Sequence, residues 1–426
     1  MANSSPTVAI IGAGPAGCAL ACLLAKRGIR PLVFDDDKRP DLLVGESLIP
    51  SVVPVLRQLG IEDRVRDFSV YKPGASFFHG SGSKVHFRFR ERGPKIPGYA
   101  YNVPRPRFDN LLRERAVELG VKFIDHRASI RKTDHPDREL ELTPESLAAA
   151  GLSADEHPDW LIDGSGRARL FARTMEIPAR RGGRNDLAYF AHFEDFDHDE
   201  VEPGQIIISV MDHGWSWRIP LQDKLSVGVV INKEAAKKLG ETPEQRLEAA
   251  IATEPLLREK GRRARRVTEV MTYTNYQLIS TRGHGKGWIL LGDAFGFVDP
   301  MLSPGLFMAL ESASLLDKIV FAKGDPDSAA LDRYGMELCG WYQSWQDLID
   351  YFYDGRMLRM IEAGNKLSEN KRPLNPAKLM ERHMIRVIAS MAGGFGTRSF
   401  YNRKLLELSS KHCIWGVQDA HFYSVK

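Results

Sequence analysis

The sequence predicts an α/β protein, in which a Rossmann-like dinucleotide-binding domain is joined to an antiparallel β-sheet domain and a helical C-terminal region. Three observations predict this arrangement. A strand, a glycine-rich turn, a helix and a second strand open the chain, short alternating segments typical of strands fill its middle, and the pattern becomes helical from about residue 326. The 426 residues are enough to bury a large core.

The opening turn carries a dinucleotide-binding fingerprint. Gly12, Gly14 and Gly17 form G-x-G-x-x-G between an apolar strand and an alanine-rich helix. The first glycine permits the tight turn, the second lets a pyrophosphate approach the backbone, and the third allows close packing of helix on strand. We expect the phosphates at the free N–H groups of the helix N-terminus, where Ala16 lies. Asp35 ends the second strand about 20 residues on, where a carboxylate accepts the ribose hydroxyls.

The composition excludes several classes of function. The net charge of +4 and the 27% of charged residues do not indicate a nucleic-acid binder. No window reaches the roughly 18 apolar residues of a membrane span, and the N-terminus lacks the pattern of a secretory signal. The spacing of the four cysteines suits neither a zinc site nor a disulfide framework. We therefore expect a cytoplasmic protein with no metal site, no nucleic-acid partner and no membrane span.

Two later segments identify the cofactor through a resemblance. GKGWILLGDAFGFVDPMLSPGLFMALESASLL, at 285–316, resembles the Gly-Asp segment of FAD-dependent aromatic hydroxylases and their relatives. This implies that Asp293 accepts from a ribityl hydroxyl and that the helix from about Gly305 points its N-terminus at the flavin ring. YNVPRPRFDNLLRERA resembles the element of the same proteins that places Arg105 near the cofactor. The resemblance implies bound FAD rather than NAD.

Three further segments resemble the flavin-dependent halogenases, particularly those that halogenate phenols and pyrroles. They are VGESLIPSVVPVLRQLGI, with Ser47 assigned to the cofactor, YKPGASFF, with Lys72 in a turn before a strand, and GWSWRIP, with Trp215 and Trp217 on one strand face. The resemblance implies catalytic roles for three residues. Hypohalous acid would travel from the flavin to Lys72, which either hydrogen-bonds it or traps it as a haloamine and presents the halogen to an electron-rich ring. The two indoles would shape the passage.

The same resemblance implies the partners. They are a halide ion and a small aromatic substrate that is free or tethered to a carrier protein. No second G-x-G-x-x-G is present, so either NAD(P)H binds transiently or, as we expect, a separate flavin reductase supplies the reduced flavin. The natural setting would be secondary metabolism.

The turn DPMLSPG departs from the halogenase pattern D-P-x-x-S-[ST]-G. In the family, backbone N–H groups near the end of this turn are expected to hold the halide. Pro304 has no N–H to donate, which leaves the Ser303 hydroxyl and the Gly305 N–H as halide donors. A flavin monooxygenase or a reductase on the same scaffold, without halide chemistry, is therefore the alternative function. A flavin-binding protein that has lost its oxidant chemistry is the non-enzymatic one.

The motifs also predict domain boundaries. The FAD-binding domain is expected to be discontinuous, at residues 1–75, 100–178 and 280–325. The β-sheet substrate domain would take residues 76–99 and 179–279, and the helical region residues 326–426.

Overall fold

A computed structural model describes residues 6–36, 42–79, 84–93, 95–198, 201–275, 277–323, 326–368, 376–412 and 417–425. The strands are β1 (Val8–Ile11), β2 (Leu32–Asp35), β3 (Val70–Lys72), β4 (Gly74–Phe78), β5 (Lys84–Arg88), β6 (Ala100–Asn102), β7 (Lys122–Asp125), β8 (Ile130–Lys132), β9 (Leu140–Leu142), β10 (Trp160–Asp163), β11 (Ala179–Arg181), β12 (Asp186–Glu194), β13 (Ile206–Met211), β14 (Gly214–Pro220), β15 (Leu225–Asn232), β16 (Arg265–Arg266), β17 (Met271–Asn275), β18 (Leu278–Ser280), β19 (His284–Gly285), β20 (Trp288–Leu290) and β21 (Gly296–Phe297). The helices are α1 (Pro15–Lys26), α2 (Val53–Leu59), α3 (Glu62–Asp67), α4 (Arg105–Glu118), α5 (Pro144–Ala150), α6 (Leu170–Thr174), α7 (Lys233–Lys237), α8 (Pro243–Thr253), α9 (Pro255–Lys260), α10 (Pro304–Ile319), α11 (Ser328–Tyr353), α12 (Arg356–Ser368), α13 (Pro376–Ala392), α14 (Phe400–His412) and α15 (Ala420–Tyr423).

The first large sheet has the order β19-β20-β10-β1-β2-β7, and it is parallel except at the β19–β20 edge. Its central strand β1 is buried along its whole length, as the unbroken apolar run predicts. Helices α1 and α10 pack against each other beside this sheet. In parallel sheets of this kind ligands bind at the carboxyl ends of the strands, so these ends locate the site.

The second large sheet has the order β16-β12-β15-β14-β13-β4-β5, with β17 also paired to β12. Its pairs are antiparallel apart from β13–β4. One face contributes Phe190, Trp215 and Trp217 to the main core. The other face contributes Tyr189 and Val227 to a separate apolar cluster under α8 and α9. The sheet is therefore buried on both faces, with the two tryptophans on the side of the dinucleotide-binding elements.

The C-terminal region is helical from α11 to α15. These two sheets and the helices that follow confirm the predicted fold class, and the exact domain boundaries stay a prediction. Among the described residues, no helix is long and apolar enough to cross a membrane. The same residues contain no group of three or more His, Cys, Asp or Glu side chains that could hold a metal ion.

Candidate functional site

A cavity lies where the carboxyl ends of the parallel strands face the second sheet. The predicted cofactor residues that line it are Gly14, Ala16, Ser47, Arg105, Asp293 and Gly305. Trp215, Trp217 and Ser303 line the same cavity. Segments that are far apart in the sequence thus meet around one space.

The glycine-rich turn packs backbone against backbone at this end of the sheet. A Cβ atom on Gly12 would lie 2.4 Å from the Gly164 oxygen, and one on Gly17 would lie 2.0 Å from the Gly12 oxygen. Gly12 also has a φ of 105°, which disfavours any side chain. Gly14 differs, because no atom lies within 4 Å of its Cβ position. The free space beside Gly14, at the N-terminus of α1, fits a bound pyrophosphate.

Arg105, Arg167 and Asp293 are charged residues that line the cavity. Arg105 forms a two-bond ion pair with Asp109, at 3.0 Å for each bond, and donates to the Val44 carbonyl. Arg167, which the sequence analysis did not single out, donates to the Thr274 carbonyl. Burial raises the pKa of Asp293 to about 6, against the opposing effect of Arg167 and then Arg105. These groups match the polar needs of FAD, whose pyrophosphate is anionic and whose ribityl chain carries hydroxyls.

The two tryptophans form the apolar wall of the cavity. Their ring centroids are 5.7 Å apart, and both side chains are buried. Trp217 pairs across the sheet with Gly228, and a Cβ there would lie 2.3 Å from the indole ring. Glycine at this position therefore leaves the space that the indole fills. The Trp217 N–H donates to the Ser226 hydroxyl at 3.3 Å, and the Trp215 N–H donates to the Tyr353 hydroxyl at 2.7 Å.

The Gly-Glu-Ser segment is held by two buried polar contacts. Glu46, which lines the cavity, lies 2.7 Å from Nε2 of His192 on β12. The Ser47 hydroxyl accepts a hydrogen bond from the Lys72 amine at 2.7 Å. The pair of Glu46 and His192 was not predicted, because its members are 146 residues apart in the sequence.

Lys72 lies behind the cavity wall rather than in it. The sequence analysis placed it in a turn, whereas the structure makes it the last residue of β3 and leaves 1% of it exposed. Its amine donates to Ser47 and, at 2.8 Å, to the Leu48 carbonyl, and lies 5.3 Å from the ring centroid of Phe89. Burial lowers the pKa of Lys72 to about 7, so a large fraction of the amine is neutral and nucleophilic near neutral pH.

The turn that precedes α10 has a constrained backbone. Leu302 and Ser303 adopt φ values of 67° and 61°, a conformation that costs roughly 1–3 kcal/mol for a residue other than glycine. The Ser303 N–H donates to the Pro300 carbonyl at 2.9 Å, and Pro304 begins the helix. No atom lies within 4 Å of the Cβ position of Gly305. The helix therefore presents open space at its first turn, but without a donor at Pro304.

Asp35 does not line the cavity. It ends β2, as predicted, and its carboxylate lies 3.5 Å from Arg113. The Gly12 N–H donates to the carbonyl of Phe34, which precedes Asp35. Asp35 and the glycine turn therefore lie at the same edge of the sheet. Its contact with ribose stays a prediction.

The sequence profile of the tryptophan halogenase family matches residues 90–357, more than half of the chain. The chain belongs to this family. A profile of NAD(P)-binding Rossmann-like domains also matches residues 10–42, the glycine-turn unit. Family membership confirms the predicted flavin-dependent halogenase scaffold and the predicted FAD cofactor.

Named relatives agree with this membership. The chain is 29% identical to tryptophan 2-halogenase of Chondromyces crocatus, over 82% of this chain and 68% of the relative. It is 27% identical to the 1H-pyrrole-2-carbonyl-[peptidyl-carrier protein] chlorinase of Pseudomonas fluorescens, over 83% and 84%.

Two solved structures share the fold. One is a triple mutant of the flavin-dependent brominase Bmp2, with a TM-score of 0.75, 22% identity and 95% and 99% of the two chains covered. The other is a flavoprotein/dehydrogenase of Cytophaga hutchinsonii, with a TM-score of 0.79, 24% identity and coverage of 96% and 98%. At these identities the likeness concerns the fold alone.

We predict that Gly14→Val abolishes FAD binding without unfolding the protein. A Cβ atom at Gly14 would have no protein atom beyond its chain neighbours within 4 Å, and the side chain would fill the space assigned to the pyrophosphate. Titration of FAD, followed by its fluorescence, measures the dissociation constant, and circular dichroism checks the fold. Gly183→Val is the matched control, because its Cβ position is equally free of neighbours and it lies outside the cavity. Equal FAD affinity of the two variants would contradict the assignment.

We predict that burial of the Lys72 amine makes the free energy of unfolding increase with pH in the alkaline range. Because the pKa of Lys72 falls to about 7 in the folded protein, the unfolded chain binds the extra proton between that pH and about 10.4. The stability of the wild type relative to Lys72→Met should then rise by about 1.4 kcal/mol for each pH unit in this range.

Urea unfolding at a series of pH values measures this slope. Lys84→Met, at an exposed lysine of β5, serves as the control and should run parallel to the wild type. If Lys72→Met also runs parallel, the amine is not buried as the structure has it.

Proposed function

We propose that the protein is an FAD-dependent halogenase of electron-rich aromatic rings, of the phenol or pyrrole type. The observation that carries this proposal is the shared cavity. The FAD-binding groups, the Trp-x-Trp wall and the Gly-Glu-Ser segment line one space, and a buried lysine amine touches that segment from behind. Such an arrangement supplies a cofactor site and an apolar barrier in one cavity, with a nucleophile directly behind the cavity wall.

The chain contributes binding, shielding and the capture of an oxidant. Bound in reduced form, FAD would supply half of the electrons that reduce oxygen. The halide would supply the other half as it is oxidised to hypohalous acid, and the second oxygen atom would leave as water. The α1 N-terminus and Arg167 would hold the anionic pyrophosphate. Trp215 and Trp217 would exclude the aromatic substrate from the flavin and keep bulk water out of the passage.

Lys72 would accept the halogen from hypohalous acid. The neutral amine attacks the halogen, an N–halogen bond forms, and hydroxide and the amine proton leave as water. Attack by an electron-rich ring then returns the amine and replaces a ring proton by halogen. The Lys72 amine donates hydrogen bonds to the Ser47 hydroxyl and the Leu48 carbonyl. Since Ser47 lines the cavity, the oxidant would reach the amine by passing Ser47.

Partners follow from the same proposal. Reduced FAD would come from a separate flavin reductase, since the sequence has no second G-x-G-x-x-G. Two relatives are named as a chlorinase and a brominase of pyrrole rings tethered to a peptidyl carrier protein. A carrier-bound pyrrole is therefore the first substrate to offer, beside free phenols. The cytoplasmic setting stays a prediction.

The alternative function is a flavin monooxygenase or dehydrogenase without halide chemistry. Pro304 favours it, because proline removes a backbone donor from the turn where Ser303 and Gly305 would hold the halide.

Product mass distinguishes the two functions. The protein is supplied with FAD, a flavin reductase, oxygen, a phenol or carrier-bound pyrrole, and chloride or bromide. A product whose mass increases by the halogen and changes with the halide supports the halogenase. A hydroxylated product in every salt, or rapid oxidation of NADPH without reductase, supports the alternative.

We predict that Lys72→Met halogenates at least about 100-fold more slowly, since a positioned nucleophile contributes on the order of 10²-fold or more. Oxygen consumption and FAD affinity should stay at the wild-type level, because Lys72 does not line the FAD cavity. Lys84→Met again serves as the control. Retained halogenation would remove Lys72 from the mechanism, and lost FAD binding would make it structural.

We predict that restoring a backbone N–H at residue 304 tightens halide binding. A hydrogen bond to a charged group contributes about 1.5–3 kcal/mol, so the apparent halide affinity should rise by about one to two powers of ten. Pro304→Ala and Pro304→Ser are compared by the bromide dependence of product formation. If only Pro304→Ser improves, the donor is the side-chain hydroxyl, and if neither improves, the turn does not bind halide through this N–H.

A further inference from the structure

A buried hydrogen-bond chain joins the C-terminal helices to the cavity. The Trp215 indole N–H donates to the Tyr353 hydroxyl at 2.7 Å, and that hydroxyl donates to an Asp299 carboxylate oxygen at 2.8 Å. The other carboxylate oxygen accepts the Met301 N–H at 2.8 Å. The side chains of Trp215, Tyr353 and Asp299 are each at most 6% exposed. Tyr353 therefore links the C-terminal helices to the cavity wall through hydrogen bonds.

Tyrosine is suited to this position because its hydroxyl accepts one hydrogen bond and donates another. An indole N–H can only donate, and a carboxylate can only accept, so the hydroxyl satisfies both at once. The guanidinium of Arg184 lies 3.9 Å from the ring centroid of Tyr353 and is paired with Asp186. Arg184 thus packs against the face of the Tyr353 ring, while the hydroxyl lies between Trp215 and Asp299.

Both ends of the chain belong to the candidate site. Trp215 is one of the two indoles of the cavity wall. Asp299 begins the turn whose residues Leu302 and Ser303 adopt unfavourable left-handed backbone conformations beside the cavity. Such conformations persist only where the surroundings fix them, and Asp299 fixes this turn through its bond to the Met301 N–H.

We propose that Tyr353 is a positioning residue, which sets the Trp215 indole and the Asp299–Gly305 turn relative to each other across the cavity. Its effect on product rests on the proposed halogenase function, whereas its effect on the cavity does not. Loss of the hydroxyl should leave the fold intact but loosen the wall between flavin and substrate. Oxidant would then be lost to water before it reaches the ring.

The test compares Tyr353→Phe with Tyr351→Phe. Tyr351 lies on the same helix, and its hydroxyl forms no hydrogen bond among the described residues, so it is a matched control for loss of a phenol oxygen. In nitrogen-15 spectra of the full-length protein, Trp215→Phe assigns the Trp215 indole resonance. Tyr353→Phe should shift this resonance and speed its hydrogen exchange by at least about fivefold, since a hydrogen bond is worth on the order of 1 kcal/mol or more.

The functional readout is the amount of halogenated product per oxygen consumed. We expect this ratio to fall by about 10- to 100-fold in Tyr353→Phe, as misplacement of a site by about 1 Å can cost 10²-fold. FAD affinity should stay within about threefold of the wild type, and Tyr351→Phe should match the wild type in every measurement. An unchanged indole resonance, or a shifted resonance with an unchanged product ratio, overturns the proposal.

Failure of the proposed function gives a different result. If the wild type forms no halogenated product, the ratio is replaced by the rate at which oxygen reoxidises the bound, reduced flavin. A Tyr353→Phe rate equal to that of the wild type then overturns the positioning role, and a changed rate supports it. Should Tyr353→Phe fail to fold, Asp299→Asn is measured in the same way, because it weakens the hydrogen bond that the Tyr353 hydroxyl donates.

Discussion

The close packing of backbone at Gly12, Gly17 and Gly164 is the constraint on which the site depends. A single Cβ atom at Gly12 or Gly17 would lie 2.4 Å or less from a carbonyl oxygen. Only without these side chains do β1, α1 and the end of β10 come together. The N-terminus of α1 then lies at the carboxyl edge of the sheet, where Asp293 and the first turn of α10 also lie. A looser joint would separate these groups.

The opposite wall of the cavity depends on a different kind of fit. The antiparallel sheet is buried on both faces, so its two tryptophans need space within a packed core rather than at a surface. Gly228 provides that space on the neighbouring strand, beside Trp217. The indoles are therefore held by packing and, through Trp215, by a hydrogen bond to the C-terminal region. An apolar wall of this kind keeps its shape because densely packed cores resist deformation.

Several polar groups at the cavity are paired with groups of neighbouring elements. Glu46 contacts His192, Arg105 contacts Asp109, and Lys72 contacts Ser47. Burial of such groups costs stability unless their hydrogen bonds are made, and each of these contacts ties a cavity segment to a neighbouring element. The same burial shifts the pKa values of Lys72 and Asp293 toward neutrality. Proton exchange near neutral pH becomes accessible to both groups, which solvent-exposed residues of these types do not offer.

Local features of the site follow from the sequence by itself. The strand, glycine turn and helix of the first segment are set by apolar periodicity and by the φ that Gly12 requires. Trp215 and Trp217 share a face because strands repeat every two residues. The loss of a donor at Pro304 is a property of proline, whatever the fold. Each of these features depends only on neighbours in the chain, so the strand–turn–helix–strand unit at residues 8–35 and the strand at 214–220 were predicted.

Burial and the contacts between distant residues follow only from the tertiary structure. Lys72 in a Lys-Pro-Gly segment reads as a surface residue, and it becomes buried only because distant segments cover it. Tyr353 and Trp215 are 138 residues apart, and Glu46 and His192 are 146 apart, so no local pattern marks either contact. The left-handed backbone at Leu302 and Ser303 likewise opposes their local preference. Local sequence specifies conformation over a few residues, whereas burial and long-range pairing depend on the packing of the whole chain.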